Sequence, residues 1–196
     1  MKKFIPFNDA AFKYTGVWQE NGEGQIVSYH TSAQLEFGFL GTEIKIFASF
    51  TSNEFVKLFL DGEVILPEIT DEGIVISNLK NNSHTLKIIA IRHCKIHFKG
   101  INLSEEGNIF ATKDNTYIQF IGDSITDAYP GFSTAVADEL KVDYSIVSLC
   151  GISLVDKWGW YKLPEGAEYR HGMETTYFSL QNLQETLSPA EYDFKV

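Results

Sequence analysis

Cysteine and positive charge are both scarce in this sequence, and each scarcity closes off a class of protein. Two cysteines in 196 residues allow one disulfide at most, and Cys94 and Cys150 each sit in an apolar run. That is the setting of reduced, buried thiols rather than of a disulfide framework. Sixteen Lys and Arg stand against 26 Asp and Glu, for a formal net charge of -10. So acidic a balance argues against general binding to nucleic acid or to an anionic membrane surface, both of which demand basic patches. No run of about 18 apolar residues is available to cross a bilayer. The opening MKKFIPFNDAAF carries two lysines but neither an apolar core of about 7–15 residues nor a small-residue cleavage site, so it does not read as a secretion signal. No internal repeat or low-complexity tract occurs. The expectation is a cytoplasmic protein with a small, neutral ligand.

What the chain does have is apolar material: 44% hydrophobic and 14% aromatic residues, enough for one large or two small cores. Two domains are expected, over residues 1–110 and 111–196. The first reads as all-β. Strand-length runs occur at Phe12–Trp18, Gln25–His30, Ala33–Phe39, Glu43–Phe50, Phe55–Leu60, Glu63–Leu66, Ile74–Ile76, His84–Arg92 and Lys95–Leu103, several alternating with period two. Asp61-Gly62 is a strong hairpin signal, because a two-residue turn needs positive φ. Asn81-Asn82 and Gly100 read as breaks. This many short strands at this spacing favour a β-sandwich or jelly roll.

The polar stretch SEEGNIFATKD, from Ser104 to Asp114, reads as the junction. A βαβ unit follows, with a strand at Tyr117–Ile121, a helix at Ser133–Leu140 and a strand at Tyr144–Leu149. Such crossovers are overwhelmingly right-handed, so both strands end at the same edge of a parallel sheet. Ligand sites of open α/β sheets lie at that edge. Gly122, Asp123 and Ser124 occupy it, which makes Ser124 the first candidate nucleophile, and Gly151 is expected beside it. A last helix is predicted over 177–187, ended by Ser188-Pro189.

The run Gly122-Asp123-Ser124-Ile125-Thr126 after a strand, with Gly151 after the next strand, resembles the first two signature blocks of the SGNH (GDSL-type) hydrolases. The β-rich segment in front resembles the jelly roll that precedes the catalytic domain in carbohydrate esterase family 2. The resemblance covers essentially the whole chain. It implies a flavodoxin-like α/β three-layer domain after the jelly roll and an esterase that removes acetyl groups from sugar hydroxyls through an acyl-serine, with no cofactor. It maps Ser124 to the nucleophile. The backbone N–H groups of Ser124 and Gly151 become oxyanion donors, Gly151 because a missing Cβ permits close approach. A helix starting after the serine would add a favourable field. Asp123 braces the turn.

The chain also departs from that pattern. Ala128 stands where many members carry Gly. The family's third block, an Asn in a Gly-x-Asn context, and its last block, Asp-x-x-His with the general base, are missing: Asn182 falls in a helical run, and the sequence ends at Tyr192-Asp193-Phe194-Lys195-Val196. The expectation is therefore a catalytic domain cut short and inactive alone, with an unpaired strand edge that invites a homodimer. Glu168-Tyr169-Arg170-His171 spells a carboxylate three residues before a histidine, so His171 is a candidate base, with a solvated loop as the competing reading. Trp158, Trp160 and Tyr161 are candidates for stacking on a sugar ring, with core or interface packing equally open. His93 and His97 are four apart, but in a strand, with Cys94 on the other side, so no metal site is expected. The Asp138, Glu139 and Asp143 cluster reads as a solvated helix end. Two functions stay open: an SGNH-type esterase of acetylated sugars, and a non-catalytic carbohydrate-binding module with a vestigial hydrolase half.

Overall fold

The computed structural model describes residues 2–70, 73–91 and 94–148. In chain order the strands are β1 (Lys2–Pro6), β2 (Lys13–Thr15), β3 (Gln19–Glu20), β4 (Ile26–Ser28), β5 (Gln34–Gly41), β6 (Ile44–Phe50), β7 (Val56–Leu60), β8 (Glu63–Ile65), β9 (Ile69–Thr70), β10 (Gly73–Ile76), β11 (Asn82–Ala90), β12 (Ile96–Ser104) and β13 (Asn108–Phe110). After them come β14 (Tyr117–Gly122), the helix α1 (Phe132–Leu140) and β15 (Asp143–Ser148).

The first thirteen strands form two antiparallel sheets. One runs β3-β4-β12-β6-β10-β9, with β1 also on β12; the other runs β13-β5-β11-β7-β8, with β2 also on β5. From β5 onward the chain crosses from sheet to sheet, so each alternating strand turns its apolar face onto the same filling. Phe37, Phe39, Leu58, Leu86 and Ile88 come from one sheet and Ile44, Ile46, Ile74, Ile96, Phe98, Ile101 and Leu103 from the other, all fully or almost fully buried in one cluster. Phe12 joins the two layers, edge-on to Phe37 at 5.0 Å and to Phe98 at 5.1 Å. This is a β-sandwich.

Several strand expectations need correction. The run Phe12–Trp18 yields only β2, because the Trp18 indole turns back to donate to the Thr15 carbonyl at 3.0 Å. Gly100 does not break a strand; it is a bulge inside β12, where the register on β6 shifts between Phe98 and Gly100. Strict alternation from Ile96 and Phe98 would turn Ile101 and Leu103 outward; the extra residue resets the pleat, and all four point inward. At φ 142° Gly100 also has a conformation that L side chains rarely adopt, and a Cβ there would overlap the Ile5 carbonyl. Its bareness lets β1 dock where β4 leaves off. Asn82 opens β11 instead of separating strands, and Asn108–Phe110, within the polar stretch after Ser104, is the edge strand β13 on β5. Asp61 and Gly62 form the expected hairpin with φ values of 54° and 87° and with Leu60 opposite Glu63.

β14 and β15 pair in parallel from Tyr117↔Asp143 to Gly122↔Ser148. The helix between them packs Ala137 against Tyr144 and Ile146, with Phe120 and Val142 at the margin. Its first turn is held by Thr134, whose hydroxyl accepts from the Gly131 N–H at 2.9 Å. It ends at Lys141, whose left-handed φ of 53° aims its N–H back at the Ala137 and Asp138 carbonyls. Among the described residues no helix is long and apolar enough to cross a membrane.

Asp143 is not part of a solvated helix end. It is 7% exposed, and its Oδ2 accepts from Lys13 Nζ of β2 at 2.6 Å and from the Asn115 N–H at 3.2 Å. Beside it Gln34 Nε2 of β5 donates to the Tyr144 carbonyl at 3.0 Å. These bonds tie the parallel pair to the sandwich.

Candidate functional site

The site is assembled at the carboxyl end of the parallel pair. β14 delivers the chain into a closed turn in which the N–H groups of Thr126 and Asp127 both donate to the Asp123 carbonyl at 3.0 Å. The Asp123 carboxylate accepts from the Ile125 N–H at 3.0 Å, an Asx-turn that an Asp forms readily from its own short side chain. Ser124 lies at the exposed outer corner of that turn. Directly before it, Gly122 has no alternative: Thr126 folds back so closely that a Cβ at 122 would overlap its hydroxyl oxygen and come within 2.8 Å of its Cβ. The glycine that opens the motif is thus required by the threonine that closes it.

The turn is also held from outside. Ser148, the last residue of β15 and the register partner of Gly122, donates its hydroxyl to Asp127 Oδ1 at 2.8 Å. Both side chains are buried. From α1, Ser133 donates to the Thr126 carbonyl at 3.4 Å. The helix expected over Ser133–Leu140 is there, as Phe132–Leu140, and so starts well beyond the serine. A helix field fades within about its first turn, so the turn at 123–127 presents the backbone dipoles nearest Ser124.

Two further groups nearby have displaced pKa values, one beside the turn and one at the far end of β15. Tyr129 lies half-buried just past the turn, with Lys57 Nζ of β7 5.1 Å from its ring centroid; burial pushes its hydroxyl pKa up, and the Asp138 carboxylate adds to the rise. At the opposite end of β15, burial alone would raise Asp143. The bond and charge of Lys13, together with the Asn115 N–H, outweigh burial and hold Asp143 below the ordinary carboxylate value.

Of the residues singled out in the sequence, Ser124 and Asp123 fall in this turn. Gly151, Trp158, Trp160, Tyr161 and His171 lie outside the described residues, as do His93, Cys150, Asn182 and the helix predicted over 177–187. His97 bonds Gln25 Oε1 at 3.0 Å, and Cys94 is buried with its thiol donating to the Ser52 carbonyl at 3.3 Å. Among the described residues no three His, Cys, Asp or Glu side chains group as metal ligands would. Sequence reasoning missed Asp127 and Ser148. The available signal was a polar residue at the end of one apolar strand and another in the turn after the other, and only the parallel register together with the closed turn shows that they meet.

No protein-family model and no curated protein sequence matches the chain. Solved structures do. A family two carbohydrate esterase from Cellvibrio japonicus is 15% identical with a TM-score of 0.68, over 79% of this chain and 54% of that one. One from Clostridium thermocellum in complex with cellohexaose is 18% identical with a TM-score of 0.64, over 81% and 61%. A carbohydrate esterase whose active site displays divergent catalytic and non-catalytic binding functions is 14% identical with a TM-score of 0.59, over 85% and 56%. The chain spans between half and two thirds of the length of these proteins. Over about four fifths of its own length it has the fold of the family 2 carbohydrate esterases.

Proposed function

We propose that this chain carries the nucleophile-bearing part of a serine esterase site that removes acetyl groups from sugar hydroxyls. Residues 1–110 would be its jelly-roll domain and 111–196 the first part of an SGNH-type α/β domain. One placement supports this: an exposed Ser124, two residues past the end of a parallel strand and in a turn braced by Asp123, in a chain with the family 2 carbohydrate esterase fold.

The chemistry follows from that position. Ser124 Oγ attacks the acetyl carbonyl carbon while its proton passes to a general base, and the carbonyl π pair moves onto oxygen. The Ser124 N–H and that of Gly151 receive the oxyanion. Collapse expels the sugar oxygen, which leaves with the proton from the base. Water then releases acetate and restores the serine. The base comes from outside the described residues, with His171 the candidate within this chain. Trp158, Trp160 and Tyr161 are the candidates for holding the sugar.

The test is hydrolysis of 4-nitrophenyl acetate and of an acetylated xylo-oligosaccharide by the full-length protein and by Ser124→Ala. Loss of about 10³-fold or more in kcat is expected for removal of a covalent nucleophile. Equal rates in the two proteins would refute the assignment.

A second reading has support from one neighbour, the esterase whose active site displays non-catalytic binding as well as catalysis. In that case the same site holds sugar without cleaving it. Calorimetric titration with cello- and xylo-oligosaccharides separates the two: binding by both proteins without acetate release favours the module, and acetate release abolished in Ser124→Ala favours the enzyme.

A further inference from the structure

We propose that Asp127 is a positioning residue, which through the Ser148 hydroxyl locks the Ser124 turn to the end of β15. The inference rests on the reading of Ser124 as nucleophile and adds to it the group that sets the nucleophile's place. The parallel ladder ends at Gly122↔Ser148, so Ser124 lies beyond the last pair of backbone bonds joining the strands. The bond from Ser148 Oγ to Asp127 Oδ1, 2.8 Å long, is a side-chain link across that gap. Its donor is the residue opposite Gly122, and its acceptor closes the turn on the Asp123 carbonyl.

Both ends are withdrawn from water, Asp127 at 7% and Ser148 at 5% exposure. A hydroxyl bonded to a carboxylate is roughly twice as strong as a neutral pair, and more so away from solvent. Asp127 already accepts from Ser148 and is buried, whereas Ser124 is exposed, so it suits holding the turn better than taking the serine's proton. An oxyanion site needs its donors fixed in advance, and a displacement near 1 Å costs about 10²-fold in rate. On the proposed reading the Ser124 N–H is one such donor, so a tie that fixes the turn on the end of β15 fixes that donor in place.

Two measurements on the full-length protein test this, with Ser124→Ala, Ser148→Ala, Asp127→Ala and Asp127→Asn alongside wild type. The first is hydrogen exchange at the Thr126 and Asp127 amides, which depends on no activity. Ser148→Ala is expected to speed both by about tenfold or more while Ile146 in mid-strand stays protected; unchanged exchange overturns the inference. The second is 4-nitrophenyl acetate kinetics. Ser148→Ala and Asp127→Ala are expected to lower kcat by about 10- to 100-fold with KM within about twofold, and Asp127→Asn, whose amide oxygen accepts the same proton, to recover to within about threefold of wild type. A Ser148→Ala protein with wild-type kcat beside an inactive Ser124→Ala overturns the positioning role alone. A Ser124→Ala protein as fast as wild type overturns the nucleophile, and the exchange experiment then decides the tie by itself.

Discussion

Replacing Lys13 by Met tests whether the parallel pair is fastened to the sandwich by charge. Met keeps most of the aliphatic stem and its packing but removes the ammonium that bonds Asp143 Oδ2 at 2.6 Å and the Lys113 carbonyl at 2.9 Å. The two side chains are 15% and 9% exposed. Removing one partner of a buried pair costs about 3–5 kcal/mol, since the other charge is left uncompensated. The Asn115 N–H still serves Asp143, which places the loss near the lower end, about 3 kcal/mol. In a chain of this size that lowers Tm by roughly 6–12 °C.

The pH dependence follows from the signs. Asp143 is held below its ordinary 3.8, so its contribution is present above pH 3.8 and is lost as pH falls through the folded value. Lys13 is subject first to burial, which lowers it, but the Asp143 bond and charge prevail and raise it above 10.5. Its contribution is present below pH 10.5 and is lost as pH rises through the folded value. The gap between wild type and Lys13→Met, measured by urea unfolding, should be flat at neutral pH and narrow in strong acid. Lys13→Met/Asp143→Asn, with no stranded charge, should regain more than half of the loss. A single mutant within about 0.5 kcal/mol of wild type, or a gap that persists unchanged at pH 2–3, would refute the argument.

Other consequences are testable in the same way. Gly122→Ala should cost about 1–3 kcal/mol, because the new methyl overlaps Thr126, and should depress ester hydrolysis together with Tm; a variant as stable as wild type would show that the turn relaxes freely. Leu86→Ala, at a fully buried position in β11, should cost about 2–5 kcal/mol in denaturant unfolding. His84 is pulled down by burial, but its bonds to Asp61 and to the Lys80 carbonyl raise it above 6.5 overall. Its contribution is therefore full below pH 6.5 and fades as pH rises through the folded value, while that of Asp61, held below 3.8 overall, is present above 3.8. His84→Gln should be most damaging between about pH 4 and 6.5, and an NMR titration placing the imidazole below 6.5 would contradict this.

Features specified by neighbouring residues were legible in the sequence. Asp61-Gly62 announces its hairpin because the positive φ it needs is a property of those two residues. The alternation of β5, β6 and β11 marks their buried faces, and the strand, turn and helix around Ser124 are written in order. Features decided by distant partners were not. β1, β3, β9 and β13 have two to five residues each and carry little periodic signal; they exist because an edge was waiting for them. Gly100 looks like a break until the inward sets on either side of it are counted. Asp143 looks solvated until Lys13, 130 residues away, is brought beside it. The tie between Asp127 and Ser148 is hidden for the same reason, since it takes the parallel register and the closed turn after Gly122 to make them neighbours.

The docking of β1 on the far half of β12 has a consequence for synthesis. Lys2–Pro6 pairs with Gly100–Ser104, so β1, once synthesised, finds its partner only after almost the entire sandwich has been made. At about 5–20 residues per second that is a wait of roughly 5–20 s, during which an apolar Phe4-Ile5 pair has no native place to go. Closing so large a loop is entropically slow compared with forming a hairpin. β1 is therefore among the last pieces of the sandwich to settle, and Gly100 keeps its landing site clear: a side chain there would meet the late arrival at the Ile5 carbonyl.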